Sequence, residues 1–282
     1  MSRVLNYREF VPPEALRRHV RRVWHLVLDA GSGHVETVYP DGCCELIAHR
    51  KSPMHALGDQ AGWRQQERCV FAAQQRSAIR LVARGDVDCI GVRLQPAASS
   101  LLFKASLAGL RDRIVDLAGL DADFAMRFLE AASQAAVETA VADLSELLER
   151  RLLPLQIDDR IEHAVGQLEA CDGAGPVKPI IAASGMSPRS FQSTFREQVG
   201  LSAKEFARIL RLQATIRMLD DGARSMAQLA VESGFADQAH ATREVRRVTG
   251  TTPARLREAL RRDRSMDSSV RLAAAFVRGR LR

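Results

Sequence analysis

No run of eighteen apolar residues occurs in the 282-residue chain, so no membrane-spanning helix is expected. The opening stretch MSRVLNYREFVPPEALRRHV has no apolar core of the kind a secretory leader needs, and a cytoplasmic location is the expectation. No CxxC pair is present among Cys43, Cys44, Cys69, Cys89 and Cys171, which points to reduced, mostly buried thiols. A soft-metal or redox sensor at the adjacent Cys43 and Cys44 is the minority reading. The sequence also lacks GxSxG, HExxH and a phosphate-cradling glycine loop. His19, His25, His34, His49, His55 and His163 form no HxH-plus-Glu grouping, which a metal-dependent barrel enzyme would need. These absences argue against an enzyme, and no cofactor or metal is expected.

What is present is charge, unevenly placed. From Lys178 onward there are 20 Lys and Arg against 10 Asp and Glu, while the first 177 residues carry 21 against 24. A basic C-terminal part beside a near-neutral N-terminal part suggests one module for a polyanion and one for another task. A solvated basic surface would account for the charge alone about as well.

The hydrophobic pattern divides the chain in the same way. Between residues 20 and 95, VRRVWHLVLD, HVETVYP, CCELIAH, CVFAA, AIRLVA and DCIGVRL read as short strands, separated by turn formers such as Asp41-Gly42 and Gly85-Asp86. Strands at this spacing predict a sandwich or small cupin-like barrel. From Pro96 the pattern turns helical: AASSLLFKA, then a stripe of Phe124, Phe128, Ala131, Ala135, Leu144, Leu147 and Leu148 over residues 122–150. Such a stripe is core, with a homodimer seam as the lesser alternative. Pro154 marks the expected boundary between a regulatory domain (1–154) and a helical domain (155–263). The remaining 264–282 is a basic tail, expected to form a short packing helix.

Within the helical part a unit recurs at an offset of fifty residues. GMSPRSFQSTFREQVGLSA begins at Gly185 and GFADQAHATREVRRVTGTTP at Gly234, one residue out of step, and from the cap onward Ser187 falls on Asp237 and Gly200 on Gly250. Each copy reads as helix, glycine turn, capped helix, the layout of a helix-turn-helix whose second helix enters the major groove. In the first copy Phe191, Phe195 and Val199 face inward, leaving Arg189, Gln192, Ser193 and Arg196 outside. In the second, Ala241, Val245 and Val248 face inward, leaving Gln238, His240, Thr242 and Arg243 outside. Gln and Arg pair bidentately with adenine and guanine edges, and Thr can touch a thymine methyl. Solvation explains any one such residue; two capped copies joined by SAKEFARILRLQATIRMLDD make that explanation weak.

On GMSPRSF, ARILRLQ, GFADQ, TRE and GTTP, residues 155–262 resemble the DNA-binding domain of the AraC/XylS family of bacterial transcriptional regulators. YREFVPPEALRRHV, YPDGCCELI and IGVRLQP are similar, more loosely, to a regulatory domain found in part of that family. The resemblance implies an α+β two-domain protein in which two helix-turn-helix motifs, held by one long helix, meet adjacent major-groove segments. It implies Arg189, Gln192 and Ser193, then Gln238, His240, Thr242 and Arg243, as base readers. Promoter DNA, RNA polymerase and a small-molecule effector follow as partners, and activation as the family's tendency. Three positions depart from the pattern. Ser193 stands where Arg is usual, so the first helix is expected to read fewer bases. Ile181 replaces a small residue. Ala241 and Val245 replace larger side chains, so the second motif is expected to pack loosely or be filled from elsewhere, the tail included. The competing functional classes are a nucleoid-type binder without sequence preference and, more remotely, a cupin-type enzyme fused to a DNA-binding domain. A net charge of +7 is modest for the first.

Overall fold

The computed structural model describes residues 5–28, 35–58, 62–103, 106–221 and 225–265. The expected packing helix of the tail lies outside these residues, save for its first two positions at the end of the last helix.

The N-terminal part is built from two antiparallel sheets. The larger contains β1 (Leu5–Phe10), β2 (Val20–Leu28), β4 (Glu45–His49), β7 (Cys69–Ala72), β9 (Val87–Leu94) and β10 (Ile114–Asp116), in the order β1-β2-β9-β4-β7-β10. The smaller contains β3 (Val35–Val38), β5 (His55–Leu57), β6 (Trp63–Gln65) and β8 (Ile79–Val82), in the order β3-β8-β5-β6. All six segments read as strands are strands. The three-residue strands β5, β6 and β10, and β1 near the start of the chain, go beyond that reading.

Side chains alternate across the larger sheet. Val23, Leu46, Phe71, Ile90, Val92 and Leu94 point to one face and join a core completed by helices. Trp24, Leu26, Leu28 and Cys89 point to the other and pack with Leu81 of the smaller sheet. Trp24 lies directly on Gly91, where an added Cβ would sit 2.1 Å from the indole. At one end of this inner face Arg93, 1% exposed, donates from Nε to Glu45 Oε1 at 2.8 Å, with Asp41 at 3.2 Å. Trp24 Nε1 donates to the same Glu45 oxygen. A buried guanidinium is tolerated only when paired in this way.

Helices follow: α1 (Leu107–Leu110), α2 (Ala122–Ala132) and α3 (Val137–Leu152). Phe124, Phe128, Ala131, Leu144 and Leu148 are buried against the larger sheet's outer face, as the periodicity required. Ala135 is not among them. The chain breaks at Ser133–Ala136, with the Ser133 hydroxyl satisfying the Leu129 carbonyl, so the stripe is two packed helices and Ala135 lies exposed in the turn.

The C-terminal part is all helical: α4 (Asp159–Ala170), α5 (Val177–Ala183), α6 (Pro188–Val199), α7 (Ala203–Asp221), α8 (Met226–Glu232), α9 (Gln238–Thr249) and α10 (Pro253–Ser265). The two parts meet along a continuous interface. Ala97 and Ala98, in a 3-10 turn over Pro96–Leu101, are buried in one cluster with Phe191, Phe195 and Phe206. Gln213, buried on α7, donates to the Pro40 carbonyl at 2.6 Å. Gly42, at φ +82, stands against the Phe206 ring where any side chain would collide. Arg18 pairs with Asp159 and Glu162, and Arg21 with Glu169.

Candidate nucleic-acid interface

The two repeated units are helix-turn-helices in three dimensions. In the first, α5 ends at a turn through Gly185 (φ +68), and the Ser187 hydroxyl accepts the Ser190 N–H at 3.2 Å to open α6. In the second, α8 opens on a capping box between Ser225 and Gln228 and ends at Gly234 (φ +72). The Asp237 carboxylate then accepts the His240 N–H at 2.6 Å to open α9. Gly200 and Gly250 close α6 and α9 in the left-handed conformation, at φ +85 and +74. Only glycine takes up these angles without cost.

The helix α7 passes behind both units. Its Phe206, Ile209 and Leu210 belong to the core of the first, and its Leu212, Ile216 and Leu219 to that of the second. Ala241 and Val245 are fully buried despite their size. Phe235 closes over Ala241 and Ala230, while Leu256 and Leu260 of α10 close over Val245 and Val248. The second motif is therefore filled from elsewhere, from its own turn and from α10. Arg211 of α7 lies over the Phe235 ring at 5.6 Å and fixes that turn to the long helix.

The side chains singled out in the sequence fall in three settings. Arg189, Gln192, Ser193 and Arg196 are exposed on α6, and Gln238 and Arg243 are exposed on α9. Ser193 donates to Glu197 Oε1 at 2.9 Å, which occupies its hydroxyl within the helix face. Thr242 and His240 are half-buried flanking positions. The Thr242 hydroxyl donates to the Gln238 carbonyl, and the His240 ring packs edge-on to Phe235 at 5.4 Å while Nδ1 accepts the Ala236 N–H at 3.4 Å.

Arg246, exposed one turn beyond Arg243, was not among the sequence candidates. The fifty-residue offset places it on Arg196, which was, so the repeat itself carried the signal. Arg189, Ser193 and Arg196 make one outward line on α6 at i, i+4, i+7. Ala239, Arg243 and Arg246 make the equivalent line on α9.

Elsewhere the chemistry-bearing residues stay dispersed. His25 bonds to Asp88 and His49 to Gln66, and among the described residues no group of His, Cys, Asp and Glu is set to hold a metal ion. The five cysteines are unbridged, and burial pushes the Cys44 thiol up to about 12, far from the reactive thiolate. Among the described residues no helix is long and apolar enough to cross a membrane.

Paired helices of this form, each with arginines along the solvent-facing side of the second helix, define a helix-turn-helix DNA-binding domain. Residues 180–259 match the family model described as a helix-turn-helix domain, and residues 8–116 match a domain of unknown function (DUF6597). With the motifs above, the first match makes residues 180–259 an AraC-type helix-turn-helix DNA-binding domain.

No curated protein matches the sequence. Among solved structures, ToxT of Vibrio cholerae is similar at 10% identity, covering 92% of this chain and 98% of its own, with a TM-score of 0.46. The xylose-binding transcription activator XylR is similar over 45% of this chain and 40% of its own, at 16% identity and a TM-score of 0.33. The AraC-like transcriptional activator CuxR covers 75% of this chain and 86% of its own, at 14% identity and a TM-score of 0.29.

Proposed function

We propose that the protein is a sequence-specific cytoplasmic regulator that reads two adjacent major-groove segments of promoter DNA with α6 and α9. It acts as an activator in concert with RNA polymerase. The observation that carries this reading is the matched pair of outward lines, Arg189–Ser193–Arg196 and Ala239–Arg243–Arg246, on helices tied to one rigid α7. Arg243 is the principal base reader, while Ser193 leaves the first helix reading less. Gln192, Gln238 and Thr242 lie at the edges of those lines. His240 serves the turn as much as the groove, because its ring is engaged by Phe235 and Ala236.

The N-terminal sheets regulate rather than catalyse. The helix-backed core ends at Leu152, and the helical core, Ala97 and Ala98 apart, draws on residues from Ile157 onward, which supports dividing the chain after residue 154. The groove between α2 and α3, lined by Phe124 and Leu147 among alternating charges, supports a homodimer seam there.

The test is selection of bound sequences from random duplex, followed by titration of the selected site and a scrambled one at several salt concentrations. Specific binding should exceed scrambled binding by at least a thousandfold, with a log–log salt slope of about −0.9 per phosphate neutralised. Equal affinity for both duplexes would establish the nucleoid-type reading instead.

A further inference from the structure

Between the two parts of the protein lies a cleft of about 320 Å³ that belongs to neither alone. Arg76, in the loop between β7 and β8, and Asp112, in the turn after α1, line it from the N-terminal part, and Glu205, Arg208 and Arg247 line it from α7 and the C-terminal end of α9. That volume is the lower end of what a small-metabolite site requires.

The charges in the cleft are arranged with donors in excess. Asp112 is consumed by Arg76: its two oxygens take the Arg76 backbone N–H at 2.7 Å, Nε at 2.7 Å and Nη2 at 2.6 Å. Glu205 is half consumed, because its Oε2 accepts the N–H and hydroxyl of Ser202 at the start of α7. Burial alone would raise the Glu205 carboxyl. The Ser202 bonds, with Arg111 and Arg76 beyond them, hold it below the usual carboxylate range, so it stays an anion.

Arg247 Nη2 donates to Glu244 Oε2 at 3.2 Å, and the remaining approaches are long. Arg76 Nη1 stands 3.6 Å and Arg111 Nη1 3.9 Å from Glu205 Oε1, and Arg208 Nε stands 3.8 Å from Glu244. At such distances the guanidinium N–H groups are aimed at carboxylates without closing hydrogen bonds. Guanidinium forks match the oxygens of a carboxylate or phosphate bidentately.

We propose that this interdomain cleft is a binding site for a small polyanion, bearing carboxylate or phosphate groups, that bridges Arg76 to Arg208 and Arg247. Its location gives it leverage. Beside it the Ala78 N–H donates to the Val248 carbonyl at 2.8 Å, tying the end of the second recognition helix to the N-terminal sheets. An occupant held by Arg76 on one side and Arg247 on the other sets the same relationship. DNA and occupant must then alter each other's affinity by the same factor. That consequence rests on the proposed function; the site itself does not.

The experiment is calorimetric titration of the full chain, without DNA, with citrate and separately with inorganic pyrophosphate at constant ionic strength. The expected result is saturable binding of one equivalent by at least one probe, and the preferred probe distinguishes a carboxylate from a phosphate ligand. Arg208→Gln and Arg76→Gln should each weaken it at least tenfold, with unchanged thermal unfolding of the half-exposed Arg208 variant showing an intact fold. Glu205→Gln should tighten it, because the competing charge goes while the cap acceptor stays. Arg189→Ala, on the outward face of α6, should leave it unchanged. Absence of saturable binding, binding indifferent to Arg208→Gln, or equal loss in Arg189→Ala would overturn the site. Because no duplex is present, none of these outcomes depends on whether the chain recognises specific DNA.

Discussion

The two helix-turn-helix motifs share a length, a cap position and a closing glycine, yet they are held differently. The helix α6 has an aromatic core and is lodged in the N-terminal part, with Ala97 and Ala98 packed among its phenylalanines and Gly200 pressed against Gln74 and Leu107. The helix α9 has a core of Ala241, Val245 and Val248, filled by Phe235 and α10, and its Gly250 faces open space. Among the described residues its backbone bond to the N-terminal part is the one between Val248 and Ala78. The outward residues differ in the opposite sense: α9 offers Arg243 where α6 offers Ser193, a hydroxyl already bonded to Glu197. The motif that is held most firmly has the poorer reading face. This supports a division of labour in which the first motif positions and the second discriminates.

The largest test of that contrast is in the cores. Phe195 is fully buried between Phe191 at 5.5 Å and Phe206 at 6.0 Å. Phe195→Ala should cost about 3–5 kcal/mol of stability. Val245→Ala, at the equivalent position of the second motif, removes far less volume and should cost clearly less. Chemical denaturation of the full chain measures both, and equal losses would erase the distinction between an anchored and a lighter motif.

That distinction was only partly legible in the sequence. The glycine turns, the caps Ser187 and Asp237, and the inward triplets of both recognition helices are local features, written within a dozen residues, and they read correctly. So did six of the seven strands of four or more residues, β1 excepted, because alternation of Val, Leu and Ile over such a length survives without knowledge of the partner strand. The three-residue strands β5, β6 and β10 exist only through their pairing, and three residues carry no period. Nothing in GVRL marks Arg93 as buried, since its burial depends on Glu45 and Asp41 from a distant part of the chain. The seat of α6 on Pro96–Leu101 joins segments about ninety residues apart, beyond any periodic signal. Arg246 differs from these, because the offset that defined the repeat also located it.

The second test concerns reading. Arg243→Ala should relax preference at one base pair by about 1–3 kcal/mol, whereas Ser193→Ala should change little. Affinities for the selected site and its single-base variants, at fixed salt, decide the matter. A uniform weakening across all variants would reassign Arg243 to a phosphate.

A third and smaller effect separates the closing glycines. At Gly250 an added Cβ meets nothing within 4 Å, so Gly250→Ala should cost only the left-handed backbone strain, about 1–2 kcal/mol. At Gly200 the same atom would lie 3.2 Å from both Gln74 and Leu107, so Gly200→Ala adds crowding across the interface to that strain. Thermal unfolding of the two variants should rank Gly200→Ala as the more damaging. The reverse order would mean that the seat of α6 yields easily and does not anchor it.

The finest distinction lies in the caps. Ser187 and Asp237 each satisfy one N–H at the start of a recognition helix, and replacing either with Ala should cost about 0.5–2 kcal/mol. The Asp237 bond is the shorter, at 2.6 Å against 3.2 Å, and its carboxylate also meets the positive end of the α9 dipole. Asp237→Ala should therefore exceed Ser187→Ala by a few tenths of a kcal/mol at low salt. Salt screens the charge at an exposed helix end but not a neutral hydroxyl, so the excess should shrink between dilute buffer and about 1 M chloride. Asp237→Ser supplies the control, since it gives the second motif the first motif's cap and should remove the salt-dependent part alone. If the excess persists unchanged at high salt, the better cap owes its strength to geometry rather than charge, and the two motifs open their recognition helices by the same means.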